Sequence, residues 1–272
     1  MYSASYFYPK IMGILNLSPN SFYAGSIKDA KQLFNYKEYD HADIIDIGCE
    51  SSRPGANSLS EKDELDRLAG FLSHFSKIEK TLSIDTCKPA VAKFALENGF
   101  NMINDINGGG EKGEMFEIAA EYDCPIVVMH MKGRPSNMQD KPFYDNIIEE
   151  LLYYFEMKLN LAKEIGLDDE QIILDPGIGF GKRINDNDVI LNRISALKQF
   201  GYPILIGLSR KSFLCIDDDS AEDRLPATLG ATAIAINNGA DIIRVHDVDE
   251  TYKMTAVISR ILQYRNKNEQ AN

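Results

Sequence analysis

Apolar positions along the chain fall into two alternating rhythms. Short runs dense in Ile, Leu, Val and Met recur at 11–17, 43–48, 82–85, 102–105, 126–131, 172–175, 204–208 and 242–246. Most are nearly unbroken, the pattern of parallel strands covered on both faces. The stretches between them carry apolar residues at helical spacing. Ser60 precedes an acidic turn (Glu61, Asp63, Glu64) and then Leu65, Leu68, Ala69 and Leu72, which predicts a capped amphipathic helix. A longer helix begins near Asn146, with Ile147, Ile148, Leu151, Leu152, Phe155 and Leu159 on one face. A last one begins near Asp249 and carries Val257, Ile258, Ile261 and Leu262.

Eight strand–helix pairs in 272 residues is about 34 residues each, close to the roughly 30 of a βαβ unit. No Pro/Gly/Ser-rich linker, composition shift or internal repeat divides the chain. The expected architecture is therefore α/β, a single (β/α)8 TIM barrel, in preference to an open doubly wound sheet with its fewer units. One domain spans 1–272, with an N-terminal extension over about 1–9 and a fraying polar tail over about 266–272.

Composition narrows the classes of function. The chain is 44% hydrophobic and 26% charged, which places it among soluble globular proteins. Its formal net charge of −12 gives a surface that repels nucleic acid and acidic membranes. No apolar stretch approaches the roughly 20 residues that span a bilayer, and the first ten residues lack a basic-then-apolar signal pattern. Cys49, Cys87, Cys124 and Cys215 are scattered, without zinc or redox spacing. They read as unpaired thiols of a reducing compartment, and the protein as cytoplasmic.

In β/α barrels chemistry gathers at the C-terminal ends of the strands, and here those ends carry a heavy polar load. Asn16 closes the first strand, the second runs through Asp46 to Glu50 and Arg53, and Asp85 ends the third. Asn104 and Asp105, His130 and Asp175 end the fourth, fifth and sixth. Ser209 to Ser212 follow the seventh, and Arg244, His246 and Asp247 sit on the eighth. A single strand-end Asp is as readily a satisfied structural pair, since buried charges cost several kcal/mol unless paired. Eight strands feeding polar groups into one rim point instead to a ligand site. Two carboxylates, an Asn amide and a Lys suit a flat heterocycle bearing both donors and acceptors. Arg53, Arg244 and His246 suit an anion, a phosphate in character, which Arg grips as a fork. Gly177, Gly179 and Gly181, and the triplet Gly108 to Gly110, lack nucleotide-loop spacing; they read as turns that let backbone approach the ligand.

Eight motifs in order now carry a resemblance: MGILNLSPNSF (12–22), DIGCESSRPGA (46–56), SIDTCKPAVAKFALENG (83–99), INDINGG (103–109), VVMHMKG (127–133), DPGIGFGK (175–182), GLSRKSF (207–213) and RVHDV (244–248). The sequence resembles the dihydropteroate synthases over nearly its whole length. The resemblance implies a transferase of folate biosynthesis, a sulfonamide target, usually a homodimer and dependent on Mg²⁺. Its substrates would be 6-hydroxymethyl-7,8-dihydropterin diphosphate and p-aminobenzoate, with 7,8-dihydropteroate and diphosphate as products. Carried over residue by residue, it implies a pterin set of Asp85, Asn104, Asp175 and Lys211, lined by Met129, Phe180 and Gly207, with Arg244 packing on the pterin. Asn16, Ser52, Arg53, Arg244 and His246 would meet the diphosphate, Asn16 also the metal. Ser52, Pro54, Lys211 and Ser212 would border p-aminobenzoate. Arg53, Lys211, Arg244 and His246 would be the catalytic residues of a dissociative displacement, in which diphosphate leaves early and the neutral amine then attacks.

The sequence departs from the family in its first loop, where Asn20, Ser21 and Phe22 stand in place of an Asp-Ser-Phe run. The resemblance implies that this loop closes over the substrates. Asn keeps the shape but loses the charge, weakening attraction to Arg53 or Mg²⁺; Asn20→Asp is the direct test. Two other functions share part of the pattern: a pterin-dependent methyltransferase domain, against which GLSRKSF and RVHDV weigh, and a pterin-binding paralogue without activity. A class I aldolase reading of Lys211 leaves Arg210 and the diphosphate set unexplained.

Overall fold

Each apolar run becomes a strand laid parallel to the one before it. In the structure, a computed structural model that describes residues 8–17, 36–50, 59–73 and 79–269, these are β1 (Lys10–Asn16), β2 (Ile44–Gly48), β3 (Thr81–Asp85), β4 (Met102–Asp105), β5 (Ile126–Met129), β6 (Ile172–Asp175), β7 (Leu205–Gly207) and β8 (Ile242–Val245). The hydrogen-bonded order is β6-β5-β4-β3-β2-β1-β8-β7, and a parallel bridge between Leu174 and Ile204 joins β6 to β7. The sheet therefore curls into a ring. An open doubly wound sheet has separated edges at this point, whereas here the two edge strands meet at that bridge and the barrel is nearly closed.

Among the described residues seven α-helices follow the strands: α1 (Glu61–Leu72), α2 (Pro89–Glu97), α3 (Glu114–Glu121), α4 (Ile147–Ile165), α5 (Ile184–Asn192), α6 (Leu225–Asn237) and α7 (Val248–Glu269). Residues 18–35, between β1 and β2, lie outside the described set. The predicted cap is present, the Ser60 hydroxyl accepting from the Asp63 amide at 3.1 Å, and the helix that starts near Asn146 is capped as well, the Asn146 side chain accepting from the Ile148 amide at 3.2 Å. Two helix faces differ from the expected ones. On α1, Glu64, Leu68 and Phe71 are buried while Ala69 is exposed, because the buried acid Glu64 has partners beneath the helix. On α7, Val257 and Ile261 point outward, while half-buried Ile258 and Leu262 pack inward together with Val248 and Met254.

Successive side chains of a strand face opposite ways, and this parity organises the barrel. Ile45, Ile47, Ile84, Ile103, Val128, Leu174, Ile206 and Ile243 face the helices within one large core. A second, smaller core fills the ring: Met12, Ile44, Met102, Val127, Ile173, Leu205 and Ile242, one from each of seven strands. Such a plug makes the interior a packed floor rather than a pore.

Candidate active site

Counting two residues on from each plug residue gives the next inward position, one layer nearer the C-terminal mouth. Ile44 leads to Asp46, Met102 to Asn104, Val127 to Met129, Ile173 to Asp175, Leu205 to Gly207 and Ile242 to Arg244. On β3 the inward pair is Ser83 and Asp85, and on β1 the inward series ends at Asn16. Strand register pairs Asn16 with Gly48, Gly48 with Asp85, Asp85 with Asn104, Met129 with Asp175, and Gly207 with Arg244, while Asp46 aligns with Ser83, Asn104 with Val127 and Arg244 with Met12, the stagger of tilted barrel strands. Alternation alone thus sets the polar groups directly on the apolar floor.

Arg244 is the centre of this layer. Its Nε donates to Asp46 Oδ2 at 2.6 Å and its Nη2 to Asp85 Oδ2 at 2.6 Å. Asn104 Nδ2 donates to the same Asp46 oxygen at 2.9 Å. Asp46 is fully buried, and its carboxylate accepts only, so it fixes the Asn104 amide with Nδ2 inward and Oδ1 on the other side. Asp46 Oδ1 has no hydrogen-bond partner among the described residues. Burial raises the Asp85 pKa; Arg244 opposes that rise and the charge of Asp46 adds to it.

Across the ring stand Asp175 and Lys211. Asp175 Oδ1 accepts from the Gly177 amide at 2.7 Å. Burial raises its pKa, with the charge of Lys211, the Gly177 bond, Lys182 and Arg244 pulling it back. Burial lowers Lys211 to about 8, Asp175 opposing and Arg244 adding to the drop. The Lys211 ammonium donates to the Ile178 carbonyl and lies 4.5 Å from the centre of the Phe180 ring. Asp85, Asn104, Asp175, Lys211 and Arg244 therefore share one end of the barrel, with Met129, Phe180 and Gly207 beside them.

The loops after β7 and β8 are fastened to each other. Ser209 Oγ meets the His246 amide at 3.2 Å and His246 Nδ1 at 3.1 Å. Arg210, with φ +57, forks onto Asp247 through Nε at 2.9 Å and Nη2 at 2.6 Å. Ser212 is exposed at the start of a three-residue 3-10 turn.

Other residues expected on the rim turn elsewhere. Asp105 has the outward parity and accepts from the Asn107 and Gly109 amides, both at 2.8 Å. His130 is buried against Tyr154 of α4. Glu50 is spent on Lys88, which also pairs with buried Glu64. The glycine turns exist, but most of the crowding that requires them comes from the chain itself. A Cβ on Gly177 (φ +68) would lie 1.9 Å from the His130 carbonyl oxygen, and one on Gly109 2.2 Å from the Phe116 ring. Asp46, read from the sequence only as one of the rim's polar groups and given no place in the site, bonds both Asn104 and Arg244. The signal was present: an Asp two places after Ile44 in a strand otherwise Ile and Gly. Ser52, Arg53 and Pro54, and Asn20, Ser21 and Phe22, lie outside the described residues. All four cysteines are free thiols.

A family model described as pterin binding enzyme matches residues 12–246. The dihydropteroate synthase of a Synechocystis species is 40% identical over 246 residues, 88% of this chain and 85% of its own length. A structure of Yersinia pestis dihydropteroate synthase in a sulfonamide drug complex superposes with a TM-score of 0.85 at 34% identity, covering 94% of this chain and 95% of that one. The Xanthomonas albilineans dihydropteroate synthase with 4-aminobenzoic acid gives a TM-score of 0.84 at 32% identity, covering 94% and 93%.

Proposed function

Since the chain belongs to the pterin binding enzymes, and among them to the dihydropteroate synthases, transferases of folate biosynthesis, we propose how its own residues divide the reaction. The observation that carries the proposal is the guanidinium of Arg244 shared between Asp46 and Asp85 on the barrel floor. A flat pterin fits between that cluster and the Asp175–Lys211 pair. Asp85 and Asp175 accept from its ring N–H and amino groups, Asn104 Oδ1 accepts, and Lys211 donates to a ring acceptor. Met129, Phe180 and Gly207 supply the apolar walls.

Arg244 commits two of its five N–H donors to carboxylates, and its Nη1 remains for the diphosphate. His246, exposed at the end of β8, serves the same charge, together with Ser52 and Arg53. Pre-set donors of this kind stabilise negative charge as it develops on the leaving group. The reacting CH₂ is attached to an electron-rich ring that shares the positive charge, so the carbon–oxygen bond breaks early. The neutral amine of p-aminobenzoate then attacks, its carboxylate held near Ser212, with Ser52, Pro54 and Lys211 at its border. No side-chain nucleophile takes part. Sulfonamides, present in the Yersinia complex, would occupy the amine position.

Among the described residues no cluster of three or more His, Cys, Asp or Glu is placed to hold a metal. The exposed amide oxygen of Asn16 at the mouth fits Mg²⁺ that arrives largely through substrate phosphates, the usual manner for this ion. Asn16 would hold it. When bound, the ion neutralises charge on the departing diphosphate.

No helix among the described residues is long and apolar enough to cross a membrane. The exposed apolar residues Ile234 on α6 and Val257, Ile261 and Tyr264 on α7 support a homodimer formed through these two adjacent helices. A coupled assay for 7,8-dihydropteroate, run with and without Mg²⁺, tests the whole reading. Product should form from the two substrates and depend on the ion. Pterin binding without product would instead identify an inactive paralogue.

A further inference from the structure

A second cation stands behind Asp175, outside the pterin set. Lys182 closes the glycine-rich turn that begins at Asp175 and is 3% exposed. Its ammonium donates to the His130 carbonyl at 3.2 Å and the Phe180 carbonyl at 3.1 Å, and meets His130 Nδ1 at 3.0 Å. An ammonium has three N–H donors and no acceptor. The three contacts use it fully, so His130 Nδ1 accepts and the imidazole proton sits on Nε2. Burial, with Lys182 and Lys132, holds the His130 pKa far below its usual value.

Among the described residues no carboxylate bonds Lys182. The charges that face it are Asp175 and Lys211 at the barrel mouth, Asp186 of α5 and Glu150 of α4. A buried ammonium without a contacting carboxylate is a net burden on folding, and a neutral donor would serve a purely structural tie. Its position answers to the site instead. The turn it pins to the end of β5 presents the Ile178 carbonyl to Lys211 and carries Phe180 against it. Its charge adds to those of Lys211 and Arg244 and to the Gly177 amide in favouring the ionised form of Asp175.

We propose that Lys182 is a positioning residue for the pterin half of the reaction, fixing the turn after β6 and keeping Asp175 as the carboxylate that receives the pterin N–H groups. The proposal rests on the dihydropteroate synthase reading of the site. Two variants separate its parts. Lys182→Met removes both tie and charge, while Lys182→Gln leaves a donor and removes the charge. Rates against pH for each substrate, with calorimetric binding of the pterin diphosphate, are the readouts.

Lys182→Met should raise the pterin KM roughly tenfold while the p-aminobenzoate KM changes less than about threefold. In both variants the acid limb for the pterin should move about one unit to higher pH, since a lost cation lets Asp175 take its proton earlier. A parallel rise in both KM values, or an unmoved acid limb, overturns the proposal. If neither variant folds, nitrogen NMR of His130 in the wild-type protein decides. A proton on Nε2 that persists to pH of about 5.5 supports the arrangement, and one on Nδ1, or titration near the ordinary value of about 6.5, overturns it. A wild-type chain that makes no dihydropteroate overturns the reading of the site, whereas the calorimetric arm still judges Lys182.

Discussion

Arg244 joins two buried carboxylates and still faces the mouth, so its removal acts on stability and chemistry together. Arg244→Ala leaves Asp46 and Asp85 side by side with no cation between them. Breaking a buried pair in this way costs about 3–5 kcal/mol, and turnover should fall by two orders of magnitude or more. Arg244→Lys restores the charge without the fork and should recover stability better than rate. Denaturant unfolding and steady-state rates on both variants check this. Equal recovery of both quantities would remove the leaving-group role from Arg244. The lysines beside Asp175 give a pH signature. Burial holds Lys182 down to about 7 and Lys211 to about 8, against about 10.4 in an unfolded chain. As pH climbs through 7 to 8 the folded protein sheds these protons first, so kcat/KM for the pterin should fall. Over the same window the unfolded state binds more protons, so these two groups make stability rise with pH. A rate profile flat up to about pH 9 would contradict the assignment.

At the scale of elements, the turn after β6 and helix α6 make opposite forecasts for the same substitution. Gly177→Ala forces a Cβ against the His130 carbonyl at a backbone angle L-residues rarely adopt, and should abolish pterin binding or folding. Gly230→Ala, in a helix with open space around it, should stabilise by up to about 1 kcal/mol and leave the rate alone. Thermal unfolding and pterin titration measure both. The same level shows what was legible in the sequence. All eight strands, the cap at Ser60 and the helix start near Asn146 could be read, because apolar runs and capping residues act locally. Asp105 and His130 were misplaced on the rim because strand ends alone do not reveal parity. Asp46 was passed over for the same reason, although it lies two places beyond a plug residue, as Asn104, Asp175 and Arg244 do. The outward turn of Val257 and Ile261 on α7 escaped notice because an apolar residue at helical spacing does not announce whether its partner is the barrel or something else.

For the whole molecule, that outward face is the place to test assembly. Replacing Val257 and Ile261 together with Lys should leave the barrel folded, since both side chains are about half exposed or more (46% and 59%), and should convert a dimer into a monomer by light scattering. A double variant that keeps the wild-type mass would move the interface elsewhere. The ring topology, finally, has a bearing on how the protein is made. Arg244 reaches back 198 residues to Asp46 and 159 to Asp85, because β8 is the strand that returns to β1. Chains emerge from the ribosome N-terminal end first. While β8 is still in the exit tunnel, the nascent chain presents two acidic side chains to a floor from which their cation is missing. The mouth is thus completed by the last of the eight strands to be translated, and a chain stalled before residue 244 holds most of the barrel's apolar surface but no finished site, which marks it as a natural client for chaperones.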